Sequence, residues 1–229
     1  MTSSQSAPAI VVRDLNQKVS TLDGTLSILD GINMQIEQGQ SVAIIGSSGA
    51  GKSTLLALLA GLDSASEGEI FLAGKPLHQL DEEQRAALRS ESVGFIFQSF
   101  MLVDSLTALE NVMLPIELSG GKDPYQQASQ LLQRVGLEQR LDHFPNQLSG
   151  GEQQRVAIAR AFASKPTILF ADEPTGNLDH SNSAKVEELL FSLNRELGTT
   201  LVLVTHDLAL AQRCQRQLQM QAGQLQEAQ

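Results

Sequence analysis

The stretch GSSGAGKST, Gly46 to Thr54, constrains the fold of this chain more than any other. SVAIIG, an unbroken apolar run ending in glycine, precedes it, and the apolar segment LLALLAGL closes it. A buried strand, a glycine-rich loop, Lys-Ser and a helix, in that order, make a unit whose backbone wraps a phosphate. Gly46, Gly49 and Gly51 let successive N–H groups point inward, and Ser47, Ser48, Ala50 and Thr54 complete the loop. The helix opening at Lys52 adds the positive end of its dipole. Lys52 places a full charge near the β- and γ-phosphates, and the Ser53 hydroxyl can ligate Mg²⁺.

The rest of the chain alternates in the same style. AIVVRDL and LSILDGINMQIEQGQ show strand-like alternation. GEIFLAGKPL, with AG and KP as turn signals, and QLQMQAGQLQ at the end of the chain are expected hairpins. SVGFIFQ, TILFADEP and TTLVLVTHD read as strands, with the helix SNSAKVEELLFSLNREL before the last of them. From Met101 to about Ala163 the pattern turns helical, so an inserted helical lobe is expected at about residues 99–163. Strands alternating with helices imply an α/β architecture, a mainly parallel sheet covered on both faces. At 229 residues the chain is expected to form one domain. Residues 1–9 are expected to be a disordered lead-in, and MTSSQSAPA has no apolar core of the signal-peptide type.

Charge and cysteine content narrow the partners. The net charge of −10 argues against a nucleic-acid binder and against adhesion to an anionic membrane surface. No apolar run approaches the ~18 residues of a membrane span. The single cysteine, Cys214, cannot form an internal disulfide, which suits a reducing cytoplasm. It falls in LALAQRCQRQL, which reads as helix.

Three further places carry candidate chemistry. TILFADEP ends an apolar strand in two acids, where α/β sheets bind ligands. Asp172 suits a metal and Glu173 suits polarising a water, although Asp-Glu-Pro alone is also an ordinary polar turn. Gln98 and His206 each end a strand, and neither says much by itself. LSGGEQQR, Leu148 to Arg155, has a serine followed three residues later by Glu152, the pattern of a capping box. Its glycines also leave N–H groups to bind phosphate, yet no lysine follows them. Such a loop binds weakly until another surface brings it a phosphate.

Together these residues resemble the ATP-binding subunit of ABC transporters. The likeness runs over roughly residues 10–225: Walker A at 46–54, a Q-loop at Gln98, the signature LSGGE at 148–152, Walker B ILFADE at 168–173, a D-loop GNLD at 176–179 and a switch histidine at His206. FQSFMLVDSLTALENVMLP, LSGGEQQRVAIARA and ADEPTGNLD look most like the LolD/MacB/FtsE branch. The resemblance implies a P-loop NTPase core with an antiparallel β subdomain and a helical lobe. It implies ATP hydrolysis with Mg²⁺, with Glu173, His206 and Lys52 catalytic and Ser53, Gln98 and Asp172 at the metal. It implies a head-to-tail homodimer. Each ATP would lie between Lys52 of one copy and the Ser149, Gly150, Gly151 turn of the other, with Asp179 at the seam. It further implies a peripheral place on the cytoplasmic face of the inner membrane, beside an FtsX/MacB-like permease moving lipophilic cargo or transmitting force. One departure stands out: where many relatives carry an aromatic residue that stacks on adenine, the spacing puts Val19, which offers no π-face.

Overall fold

A computed structural model describes residues 7–21 and 24–228. The chain divides into two units, Met1–Arg89 with Thr199–Gln229, and Ser90–Gly198.

In the first unit, alternation becomes an antiparallel sheet and continuous apolarity becomes a parallel one. β1 (Ile10–Thr21), β2 (Gly24–Ile36), β4 (Glu67–Leu72) and β5 (Lys75–Pro76) form the sheet β2-β1-β4-β5. β2 buries Ile32, Met34 and Ile36 in alternation, and also Leu29, which falls out of that period at an irregularity in the β1–β2 register. β3 (Ser41–Ile45) pairs in parallel with both β8 (Thr200–Thr205) and β9 (Arg216–Gln221). β10 (Gln224–Glu227) returns antiparallel along β9 through the Ala222-Gly223 turn. Val42, Ala43 and Ile44 are fully buried, as befits a central strand. α1 (Lys52–Leu59) and α7 (Leu208–Ala211) pack against these strands. α2 (Glu82–Ser92) begins in this unit, its first turn holding Arg85 and Arg89 through Glu82.

Two expectations change here. The expected disordered lead-in spans 1–9, of which residues 1–6 lie outside the described residues. Ala9 is buried and tied into the sheet: its N–H donates to Ile36 O, and its carbonyl accepts from Ala73 N. Cys214 is not helical. α7 stops at Ala211, because the chain must turn to lay β9 beside β3. Gln215 secures that turn, its side chain accepting from Ser41 N and its N–H donating to Ser41 Oγ. Cys214 is buried there, and burial pushes its thiol up to about 12, far from thiolate chemistry.

In the second unit β6 (Val93–Ile96) pairs in parallel with β7 (Ile168–Asp172). α3 (Ala108–Leu118), α4 (Pro124–Arg134), α5 (Gly150–Ala163) and α6 (His180–Leu197) supply the rest. α5 packs against α3, α4, α6 and β6. The stretch 98–106 holds no helix. Asn111 on α3, fully buried, pins it: Oδ1 accepts from Val103 N, and Nδ2 donates to the carbonyls of Val103, Leu106 and Thr107. The side chain thus meets backbone groups of a segment that has no ladder of its own.

Candidate nucleotide site

Helix α1 starts without help. Its N-cap is Gly51, with left-handed backbone (φ 101°), and no side chain caps the first turn. Uncapped N–H groups at a helix N-terminus are an anion site. A Cβ on Gly46 would lie 2.3 Å from the Met220 carbonyl oxygen, so only glycine fits where the loop leaves β3. Lys52 is 8% exposed, and its Nζ donates to Gly46 O at 2.8 Å and Ser47 O at 2.9 Å. The stem is packed and the ammonium arches back across the loop. Ala50 is buried and closes a turn on Ser47 O, whereas Ser47, Ser48, Gly49 and Ser53 are exposed, with Thr54 half-buried. His206 belongs to the same edge. Ile45 pairs with Thr205, so Gly46 and His206 leave the carboxyl ends of neighbouring parallel strands. Asp207 next to His206 caps α7, accepting from Ala209 N and Leu210 N.

The second unit gathers the other candidates. β7 ends in Asp172, and Glu173 takes a left-handed backbone with φ 45°. That conformation costs a non-glycine residue about 1–2 kcal/mol, and the turn after it is held from two sides. Glu173 O accepts from Gly176 N at 3.0 Å, and Pro174 O accepts from Gln154 Nε2 at 2.6 Å. Gln98 lies against this turn. Its carbonyl accepts from Asn177 Nδ2 at 2.8 Å, and a Cβ on Gly176 would be 3.0 Å from its amide nitrogen. The next backbone pair, Phe100 (φ 61°) and Met101 (φ 52°), is also left-handed, and Arg160 of α5 donates to both of their carbonyls.

The signature turn is a complete capping box. Ser149 Oγ accepts from Glu152 N, while Glu152 Oε2 accepts from Ser149 N at 2.8 Å and Ser149 Oγ at 2.7 Å. Arg140 donates to the other oxygen of Glu152. The Ser149 N–H and hydroxyl, more than Arg140, hold the Glu152 carboxyl down to about 2. Gly151 is packed beneath Asn182, which donates to Asp179 at the start of α6. Asp179 also accepts from Ser181 N and Asn182 N. These bonds, led by the Asn182 side chain, lower its pKa.

Each unit, taken by itself, carries oxygen donors of the kind that Mg²⁺ takes. Among the described residues no group of three or more His, Cys, Asp or Glu could hold a metal by itself. Ser53, Asp172 and Gln98 offer hard oxygens, and Mg²⁺ characteristically takes one or two such groups and completes its shell with phosphates and water.

Residue pattern alone did not single out Gln154, Arg160, Asn177 or Asn182. Gln154 carried a signal: it is a polar residue on the buried stripe Gly151, Gln154, Ile158, Ala161 of α5. Arg160 and Asn177 hold backbone distant in sequence, and Asn182 packs against Gly151 of another helix, neither of which spacing reveals.

The ABC transporter family model matches residues 29–176. The chain is 57% identical over 220 residues to the uncharacterized ABC transporter ATP-binding protein YbbA of Escherichia coli (strain K12), covering 95% of this chain and 96% of that protein. It is 50% identical over 202 residues to the lipoprotein-releasing system ATP-binding protein LolD of Xanthomonas oryzae pv. oryzae, covering 87% of this chain and 83% of that protein. Its backbone resembles a dimeric ATP-binding cassette in a post-hydrolysis state bound to ADP and Pi, with a TM-score of 0.88 and 37% identity, covering 96% of this chain and 99% of that one.

Proposed function

The chain belongs to the ABC transporter family as an ATP-binding subunit, and from that premise we propose that it hydrolyses ATP in a head-to-tail dimer to drive an FtsX/MacB-like permease. One observation carries the reading. α1 has a lysine and no side-chain cap, whereas α5 has its own cap and no lysine. A lone phosphate is served by the first. The second gains from a nucleotide already held by another copy. In this reading Lys52 and the N–H groups of 46–54 grip the phosphates of one copy's ATP, and Ser149, Gly150 and Gly151 of the second copy close over them. Asp179 then stands at the seam between copies.

Hydrolysis needs few parts. Glu173 orients a water, whose oxygen attacks the γ-phosphorus while the bond to the β,γ-bridging oxygen breaks. ADP leaves with that electron pair, and the water proton passes to the Glu173 carboxylate. Ser53, Asp172 and Gln98 would hold a Mg²⁺ ion, which would offset charge on the phosphate oxygens. Lys52 and His206 serve the same charge from the protein side. Hydrolysis followed by loss of the phosphate removes the bridge between copies, and the dimer reopens.

The likeness to LolD supports lipophilic cargo and a place beside the membrane. Glu173→Gln is expected to trap a stable ATP-bound dimer with turnover reduced at least about a hundredfold. Size-exclusion chromatography with ATP and phosphate release measure the two effects. Wild-type turnover by Glu173→Gln would remove Glu173 from the base role.

A further inference from the structure

We propose that Gln154 is a positioning residue for hydrolysis: from the signature helix it fixes the turn that presents Glu173. This rests on Glu173 being the base. Gln154 is fully buried, and its amide makes one hydrogen bond, from Nε2 to Pro174 O at 2.6 Å. Its own carbonyl, Oε1, is buried without a partner. An apolar side chain of that size would fill the same space and would leave the Pro174 carbonyl, instead of Oε1, without a donor, so volume alone does not call for glutamine here. What the amide supplies is a donor aimed at one backbone carbonyl.

That carbonyl belongs to the residue after Glu173. Glu173 is left-handed at φ 45°, a backbone that relaxes unless its neighbours hold it. Gly176 N holds the Glu173 carbonyl and Gln154 holds the next one. The peptide group that follows Glu173 and the next one along the turn are therefore both restrained, the second of them by α5. The helix whose N-terminus carries Ser149, Gly150 and Gly151 also carries the amide that aims the base. In this scheme a shift of α5 reaches the turn after Glu173 through the Gln154–Pro174 hydrogen bond. Gln154 touches neither water nor phosphate in this scheme and acts only through Glu173.

The test uses the full chain. Gln154→Met preserves volume and removes the donor. It exchanges one orphaned carbonyl, Oε1, for another, that of Pro174, so the thermal midpoint is expected to stay at the wild-type value. KM for ATP is expected to hold within about twofold while kcat falls about tenfold. Gln154→Leu is the second variant and is expected to behave alike. In the Glu173→Gln background, Gln154→Met is expected to lower the residual turnover no further. Wild-type kcat in Gln154→Met overturns the proposal. So does an equal fall in the Glu173→Gln background, which leaves the base assignment standing. If both variants fail to fold, the amide is a requirement of the core and the proposal is overturned. If Glu173→Gln alone turns over at the wild-type rate, the base assignment fails, separately from anything Gln154 does.

Discussion

Gly150 and Gly151 are adjacent, and their surroundings differ sharply. A Cβ on Gly150 would meet Leu178 at 3.6 Å and Phe100 at 3.7 Å, ordinary contacts. A Cβ on Gly151 would lie 2.9 Å from Asn182 Cγ and 3.0 Å from its Oδ1. Asn182 would have to move, and it binds both carboxylate oxygens of Asp179, the cap of α6. Gly150→Ala is therefore expected to leave stability unchanged or raise it by up to about 1 kcal/mol, the helix preference of alanine over glycine. Gly151→Ala is expected to cost about 1–2 kcal/mol through the disturbed cap and to weaken the ATP-driven dimer of Glu173→Gln. Urea unfolding and size-exclusion chromatography check the pair; equal losses from both would refute the distinction. The sequence names both glycines as a phosphate-binding turn. It does not separate them, because the difference is made by Asn182, which folding brings from another helix.

At the scale of elements, α5 joins several tasks through one acid. Glu152 closes the capping box and receives Arg140. Its pKa in the folded chain is about 2, below the ordinary 4.5, so its contribution is present above about pH 4.5 and is lost as pH falls through 2. Glu152→Gln keeps an acceptor for Ser149 N but removes the charge. It is expected to cost about 1 kcal/mol at pH 7, a difference that shrinks below pH 4.5 and vanishes near pH 2. Urea midpoints across that range measure it, and a pH-independent difference would contradict the role of the charge. This box was legible from Ser149 and Glu152 alone, as were the Ala-Gly hairpins, since each depends on neighbours in sequence. The turn at Cys214 was not: LALAQRC continues a helical pattern, and the requirement to bring β9 beside β3 overrides it. The loop 98–106 was missed for a like reason, its order coming from Asn111 on the helix after it.

At the scale of the molecule, the proposed function asks the chain to reach a membrane that its net charge does not favour. Among the described residues no helix is long and apolar enough to cross a bilayer. The net charge of −10 opposes anionic lipid. On the proposed function recruitment rests on the permease, and the loop after Gln98 offers apolar side chains for it. Met101 is 58% exposed and Val103 39%, beside half-buried Phe100 and Leu102. An exposed methionine is a costly choice for a loop that meets only water, and an adaptable one for a loop that meets a protein. Arg160 fixes the backbone beneath it, so the side chain is presented on a held loop. Met101→Asp places a charge there without touching Lys52, Asp172 or Glu173. Basal ATPase of the purified chain is expected to stay within about twofold of wild type, because no interaction made in the transition state is removed. Co-sedimentation with membranes containing the permease, and stimulation by it, are expected to fall at least about tenfold, the cost of burying an unpaired charge in an interface. Membranes lacking the permease are expected to retain neither protein. Full recruitment of Met101→Asp would place the docking surface elsewhere on the chain.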